Sequence, residues 1–358
     1  MGKIKSPGND PRYFNSASYD YFLPEELIAQ DPVEPRDSSR LLVIDRSSGE
    51  MYHRYFRDIT SCLRKGDIMI LNDTRVIRAR LIGKKEGGES RIEVFLLKPV
   101  AMQNSVAVEW EALIRPGKRV KPGRRVILKG DIPVTVLGEG NDGTRICRFP
   151  DDLDVMSFIE KNGEIPLPPY IKNSAIDPER YQTVYSRNSG SVAAPTAGLH
   201  FTRPLLEKIK SIGVLQKNIT LDVGLGTFRP VKTSDIRDHA MHIEEGFISE
   251  ETATEIMNTR KRGGRVVAVG TTAVRALESR TIDNGELEAG PFNTDAFFYP
   301  GYRFRMVDVM VTNFHLPKST LLMLVAAFAG LDLTMKAYRE AVSMGYRFYS
   351  FGDSMLIL

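Results

Sequence analysis

The chain has 358 residues, 42% of them hydrophobic and 26% charged, with a net charge of +4. This length predicts one large or two medium domains and removes the need for a disulfide or metal staple, since such a chain buries about three quarters of its unfolded surface. Two cysteines without a CxxC pair point to a reducing compartment and away from a structural zinc site, and the longest apolar run, 321–331, is too short to span a bilayer.

Residues 1–15 are polar and rich in Gly, Pro and Lys, which reads as a flexible tail with no signal peptide. The pattern then predicts a short helix over 21–30, opened by Pro24, and a hairpin of strands 41–45 and 50–56. A strand over 68–72 runs into the polar cluster Asn72-Asp73-Thr74-Arg75. From 78 to 149 the texture changes to short alternating strands at 92–97, 106–114, 126–128, 134–137 and 144–149, separated by Gly and Pro turns, which predicts a small closed all-β barrel. From 153 onward helices and strands alternate. Helices are expected over 205–212, after Ser249 up to Gly263-Gly264, after Gly270, and over 319–329 and 335–344; strands are expected over 218–223, 266–269 and 307–312. The fold class is therefore α/β, with residues 16–77 and 153–358 forming a discontinuous main domain and the all-β barrel inserted at 78–152.

The densest functional signal is Gly190 to Thr202, which collects small residues, Pro195, Thr196, Gly198 and His200 ahead of a helix. Small residues admit a ligand to backbone donors. Two strand-to-loop junctions are alike: Asp222-Val223-Gly224-Leu225-Gly226-Thr227 and Val269-Gly270-Thr271-Thr272. Ligands of α/β folds bind at the carboxyl ends of strands, so these loops are candidate sites, with tight turns as the alternative. Neither completes a dinucleotide or P-loop pattern.

His239 and His242 lie three apart near Glu244, a spacing at which histidines can bind zinc, yet no third ligand can be placed from the sequence, so no metal is expected. His315 sits at another strand-to-helix junction; for it and His200 a structural, hydrogen-bonded ring is the rival reading. No G-x-S-x-G elbow is present. The aromatic run 297–304, with Tyr299 and Tyr302, could stack a base or face a cation, or simply pack as an edge. Arginines gather at Arg75 and among 115–125, where Arg119, Arg124 and Arg125 could track a phosphate backbone.

In order and wording these motifs resemble the S-adenosylmethionine:tRNA ribosyltransferase-isomerases of queuosine synthesis. The resemblance covers nearly the whole chain from 19 to 358, through 22–30, 36–43, 72–81, 163–171, 180–185, 190–202, 223–231, 239–244, 269–272, 300–304, 313–329 and 349–358. Arg78 stands where the family usually has proline, and Phe351 and Ser354 vary its C-terminal Ser-Tyr-Gly-Asp-Ala pattern. The resemblance implies a barrel-like α/β domain with an inserted β-barrel. It also implies transfer and isomerisation of the ribosyl part of S-adenosylmethionine onto 7-aminomethyl-7-deazaguanine at the tRNA wobble position. The product would be epoxyqueuosine-tRNA, with adenine and methionine released. S-adenosylmethionine would be a consumed co-substrate and no further cofactor is expected.

Such chemistry needs a held sulfonium, a base for the acidic proton beside sulfur, and a neutral attacking amine. His200 is the leading acid/base candidate, with His315, Asp222 and Asp73 as rivals. Thr196, Gly198, Gly224, Gly226, Thr227, Gly270, Thr271, Thr272, Tyr299 and Tyr302 are the expected substrate contacts. Arg75, Arg119, Arg124 and Arg125 are the expected RNA contacts. The partners are tRNA and S-adenosylmethionine, and a cytoplasmic monomer with no membrane contact is expected. A non-catalytic RNA-binding protein and a sugar-phosphate enzyme are the competing readings; adenine release that depends on tRNA separates them.

Overall fold

Runs of aliphatic residues with both faces apolar give this chain its main sheet. A computed structural model describes residues 10–103, 106–117, 120–140, 143–172, 176–224 and 231–358. The chain forms two compact units, one of Met1–Thr74, Pro168–Asn188 and Ala194–Leu358, the other of Arg75–Leu167 and Ser189–Ala193. The fold class is α/β with an all-β barrel.

In chain order, β1 (Arg40–Ile44), β2 (Met51–Tyr55) and β3 (Ile68–Asn72) come first, followed by the short strand β4 (Thr74–Val76). Then come the barrel strands β5 (Arg80–Lys85), β6 (Arg91–Gln103), β7 (Val106–Arg115), β8 (Arg125–Leu128), β9 (Ile132–Glu139) and β10 (Arg145–Arg148), and the helix α1 (Val155–Asn162). After the short strand β11 (Asn188–Ser191) follow α2 (Arg203–Ser211), β12 (Leu215–Leu221), β13 (Glu244–Ile248), α3 (Glu250–Lys261), β14 (Val266–Val269) and α4 (Gly270–Ser279). The chain finishes with β15 (Gly290–Thr294), β16 (Val309–Asn313), α5 (Thr320–Ala329), α6 (Leu331–Ser343) and β17 (Ser354–Ile357).

The first unit holds a nine-stranded sheet in the order β15-β13-β12-β3-β14-β16-β17-β1-β2. Its centre is parallel: β12, β3, β14 and β16 run the same way. Side chains alternate between two cores. Ile68, Ile70, Val266 and Ala268 face one that includes Ile256, Leu277, Leu322 and Tyr338 from the helices. Met69, Leu71, Val267 and Val269 face the other, with Leu205, Ile209 and Phe56. Strands covered on both faces read as unbroken apolar runs, which is why β3 and β14 match their sequence limits. The four parallel strands end side by side in Asn72-Asp73, Asp222-Val223-Gly224, Gly270-Thr271-Thr272 and Asn313-Phe314-His315.

The second unit is a closed antiparallel barrel, β10-β7-β6-β5-β8-β9. Leu81, Val94, Trp110, Val126, Val134 and Cys147 point inward and are buried. Gly83 is required, because a Cβ there would lie 2.5 Å from the Ile127 carbonyl oxygen. The unit extends beyond the 78–152 span read from the sequence, since α1 belongs to it. Strand β5 was not expected.

Two N-terminal expectations need correction. Residues 10–15 are ordered, not a loose tail: Pro11–Phe14 form a 3-10 helix, Asn15 bridges Asp235, and Arg12 pairs with Asp332 at 2.9 Å. The 21–30 stretch is not an α-helix and holds only a 3-10 turn at Glu25–Leu27. Its backbone is used elsewhere, because Leu27 O accepts from the Phe348 N–H and the Ala29 N–H donates to Phe348 O. Long-range pairing overrides the local helical signal. No single helix among the described residues is long and apolar enough to cross a membrane.

Candidate active site

The site is built on the ends of the parallel strands. At the end of β3, the Asn72 amide donates to Leu221 O at 2.9 Å, and its Oδ1 accepts from the Leu221 N–H at 3.0 Å. This clamp brings the next residue of each strand, Asp73 and Asp222, to the same edge. Asp73 Oδ1 accepts from Thr220 Oγ1 at 2.8 Å and from the Asn188 amide at 3.0 Å. Thr74 Oγ1 donates to Asp222 Oδ1 at 2.5 Å. Burial raises the Asp222 carboxyl above its usual range, and the charges of Glu245 and Asp73 push the same way against the Thr74 hydrogen bond.

At the end of β14, Gly270 opens α4 with φ +89°, a conformation suited to glycine. Thr271 and Thr272 are buried, and Thr272 Oγ1 has no hydrogen-bond partner among the described residues. The 3-10 helix Thr196–His200 packs here; a Cβ on Gly270 would meet Ala197 Cβ at 3.6 Å. Gly198 is a close-approach glycine and not an open cradle, since a Cβ there would lie 2.1 Å from the Tyr185 hydroxyl and 2.8 Å from Thr183 Cγ2. The Thr183 and Tyr185 hydroxyls are also buried without partners among the described residues.

His200 is buried on this turn. Its Nδ1 hydrogen-bonds Ser39 Oγ at 2.7 Å and its ring stacks on Phe56 at 4.9 Å. Burial takes its pKa down to about 3; the Asn313 amide opposes this, while Arg347 and Arg36 add to it. Asn313, the last residue of β16, donates to Tyr349 O at 3.0 Å. His315 has both ring nitrogens engaged, by Thr312 Oγ1 and the Tyr338 hydroxyl, each at 3.3 Å. Burial takes its pKa to about 3 as well.

A cavity of about 40 Å³ is lined by Tyr170, Thr196, Asn313, His315, Tyr349 and Ser350. A second, about 20 Å³, opens against Arg36, Arg180, His200 and Ser350. Tyr349 holds φ +70°, rare for a side chain of its size, and its ring lies 4.7 Å from that of Tyr170. Tyr170, Tyr185, Asn313 and Ser39 were not singled out by the sequence reading.

Other expected residues lie elsewhere. The Tyr302 hydroxyl donates to Glu278 at 2.9 Å, in the last turn of α4, whereas Thr271 and Thr272 lie in its first turn. Its ring packs on Phe298 at 4.5 Å and Phe304 at 5.0 Å, and Phe304 packs on Phe328. Tyr299 packs between Phe14 and Phe297. Gly224 faces open space. Gly226, Thr227 and Arg119 lie outside the described residues. Arg75, Arg124 and Arg125 belong to the second unit; Arg124 and Arg125 are exposed, and Arg125 lies 3.5 Å from Glu86. Glu244 is paired with Arg275 at 2.7 Å, and no group of three or more His, Cys, Asp or Glu converges as a metal site among the described residues.

The family model described as queuosine biosynthesis protein matches residues 16–357. An S-adenosylmethionine:tRNA ribosyltransferase-isomerase of Symbiobacterium thermophilum is 53% identical over 343 residues, spanning 96% of this chain and 99% of that protein. One of Pelotomaculum thermopropionicum is 50% identical over 345 residues, 96% of this chain and all of its own. Among solved structures, the S-adenosylmethionine tRNA ribosyltransferase of Thermotoga maritima aligns with a TM-score of 0.55 and 42% identity, covering 95% of this chain and 100% of that one.

Proposed function

Because this chain belongs to the queuosine biosynthesis family of S-adenosylmethionine:tRNA ribosyltransferase-isomerases, we propose that its clustered strand ends bind S-adenosylmethionine for attack by a modified tRNA base. The reaction is transfer and isomerisation of the ribosyl group onto 7-aminomethyl-7-deazaguanine at the wobble position. Epoxyqueuosine-tRNA forms, and adenine and methionine leave. S-adenosylmethionine is consumed, and no other cofactor takes part.

One observation carries this reading. Thr272 Oγ1, Thr183 Oγ1 and the Tyr185 hydroxyl are buried and, among the described residues, unpaired around a single turn. Each orphaned group of this kind costs about 1–3 kcal/mol. Three around one turn are the expected signature of a polar ligand that pairs them when bound. Tyr170 and Tyr349, which line the cavity, supply the aromatic faces that a sulfonium favours, whereas Tyr302 is held at the far end of α4.

Basicity reorders the candidate bases. A ring that protonates only near 3 is neutral at working pH and a weak proton acceptor, whereas a carboxylate with a raised pKa is a stronger one. Asp222 is therefore the base of choice, and neutral His200 a hydrogen-bonding group that positions substrate. Asp73, tied to Asn188 and Thr220, and His315, engaged at both nitrogens, serve as supports. The exposed Arg124 and Arg125 of the second unit are offered as RNA contacts, with Arg75. The enzyme acts as a monomer of 40.2 kDa in the cytoplasm.

The test mixes the chain with S-adenosylmethionine and tRNA carrying the aminomethyl-deazaguanine. Adenine release should match the tRNA mass gain one to one. RNA binding without adenine release would reject an enzyme; adenine release without tRNA would reject the acceptor.

A further inference from the structure

Arg275 lies in the middle of α4, three residues beyond Thr272 and four beyond Thr271, so the three share one helix face. Its side chain is 4% exposed, as is that of Glu244, and its Nη1 lies 2.7 Å from Glu244 Oε2. Glu244 opens β13, next to Glu245, whose carbonyl accepts the Asp222 N–H at 2.9 Å. The pair thus lies by the carboxyl end of β12 and the opening turns of α4, among the strand ends described above.

The other two nitrogen donors of Arg275, Nε and Nη2, are buried and have no hydrogen-bond partner among the described residues. They form one edge of the planar guanidinium. Two parallel N–H bonds on such an edge match the two oxygens of a carboxylate. Leaving them unpaired inside a protein is costly, so a bound state that pairs them accounts for their retention. Glu244 takes up the Nη1 side of the group as an ion pair at 2.7 Å, so the Nε/Nη2 edge is the one left to a ligand. Deep burial favours the end of a small molecule over a polymer backbone.

We propose that the Nε/Nη2 edge of Arg275 receives the carboxylate at the amino-acid end of S-adenosylmethionine; this rests on the reading above that S-adenosylmethionine is the substrate. Arg275 is then the residue that distinguishes the intact amino-acid end from a shortened one. Calorimetric titration of the full chain with S-adenosylmethionine and with decarboxylated S-adenosylmethionine tests it. The unaltered protein should bind the decarboxylated compound at least about tenfold more weakly, as expected when a buried donor set loses its acceptor. Arg275→Lys should lose that preference and bind both compounds alike. If the single variant does not fold, Arg275→Met with Glu244→Met removes both buried charges together and should likewise show no preference. A preference that survives in either variant, or equal binding of both compounds by the unaltered protein, overturns the carboxylate assignment and leaves the substrate intact. No binding of S-adenosylmethionine and no adenine release would instead overturn the substrate reading, and this assignment with it.

Discussion

Burial acts in opposite chemical directions on Asp222 and His200. It raises the carboxyl, making it a better proton acceptor, and lowers the imidazole to about 3, making it a worse one. Asp222→Asn should therefore cost about 10²–10⁴ in single-turnover adenine release, the usual weight of a positioned base. His200→Gln should cost about tenfold or less if the ring only positions substrate. The acid limb of the wild-type profile should belong to a carboxyl group titrating above its ordinary range, with activity rising as it ionises. An inflection that disappears in His200→Gln but persists in Asp222→Asn would return the role to the histidine.

At the scale of elements, the turn Thr196–His200 depends on Gly198 having no side chain. Gly198→Ala would drive a methyl group to 2.1 Å from the Tyr185 hydroxyl. Overpacking of this kind costs about 1–3 kcal/mol, and displacement of Tyr185 should weaken S-adenosylmethionine binding as well. Gly224→Ala, with nothing within 4 Å, is the control expected to leave stability near wild type. Thermal melts with and without S-adenosylmethionine distinguish the two, and equal behaviour would discount the close contact.

The same elements explain what could be read in advance. Strands β3 and β14 are apolar on both faces and end in polar residues, so they and the candidates Asp73, Asp222, Thr271 and Thr272 were legible. Ser249 was legible as a cap, and its Oγ accepts the Thr252 N–H at 3.1 Å. A dense aromatic run looks alike in sequence whether it faces a ligand or packs, and the contacts of Tyr302 with Phe298 and Phe304 become visible only in the fold. Tyr185 meets Gly198, and Arg275 meets Glu244, only through the fold. No local periodicity encodes either contact.

For the whole molecule, the distribution of histidines separates the two units. His200 and His315, held neutral to about pH 3, belong to the first unit together with His53, His239 and His242; the second unit has none. Between the unfolded value of about 6.5 and the folded value, unfolding takes up protons, so stability falls as pH falls. Each buried ring removes about 1.4 kcal/mol per pH unit across that window. Trp110, the only tryptophan, lies in the barrel, whereas α2 to α6 lie in the first unit. From pH 6.5 to 5 the urea midpoint followed by helical circular dichroism should drop steeply, while that followed by tryptophan fluorescence holds. Parallel shifts in the two signals, or an unchanged slope in His315→Gln, would contradict this.

Strand β17 lies between β16 and β1, and its four residues, Ser354–Ile357, are all buried. β1 is made early in translation and pairs, through Leu41 with Ser354, with a segment synthesised more than three hundred positions later. Until that segment leaves the ribosome, β1 and β16 each keep open the edge that β17 later covers, able to recruit a stranger. Nascent chains of this protein should thus depend on chaperone shielding until Ser354–Ile357 emerge, with the sheet completed only then.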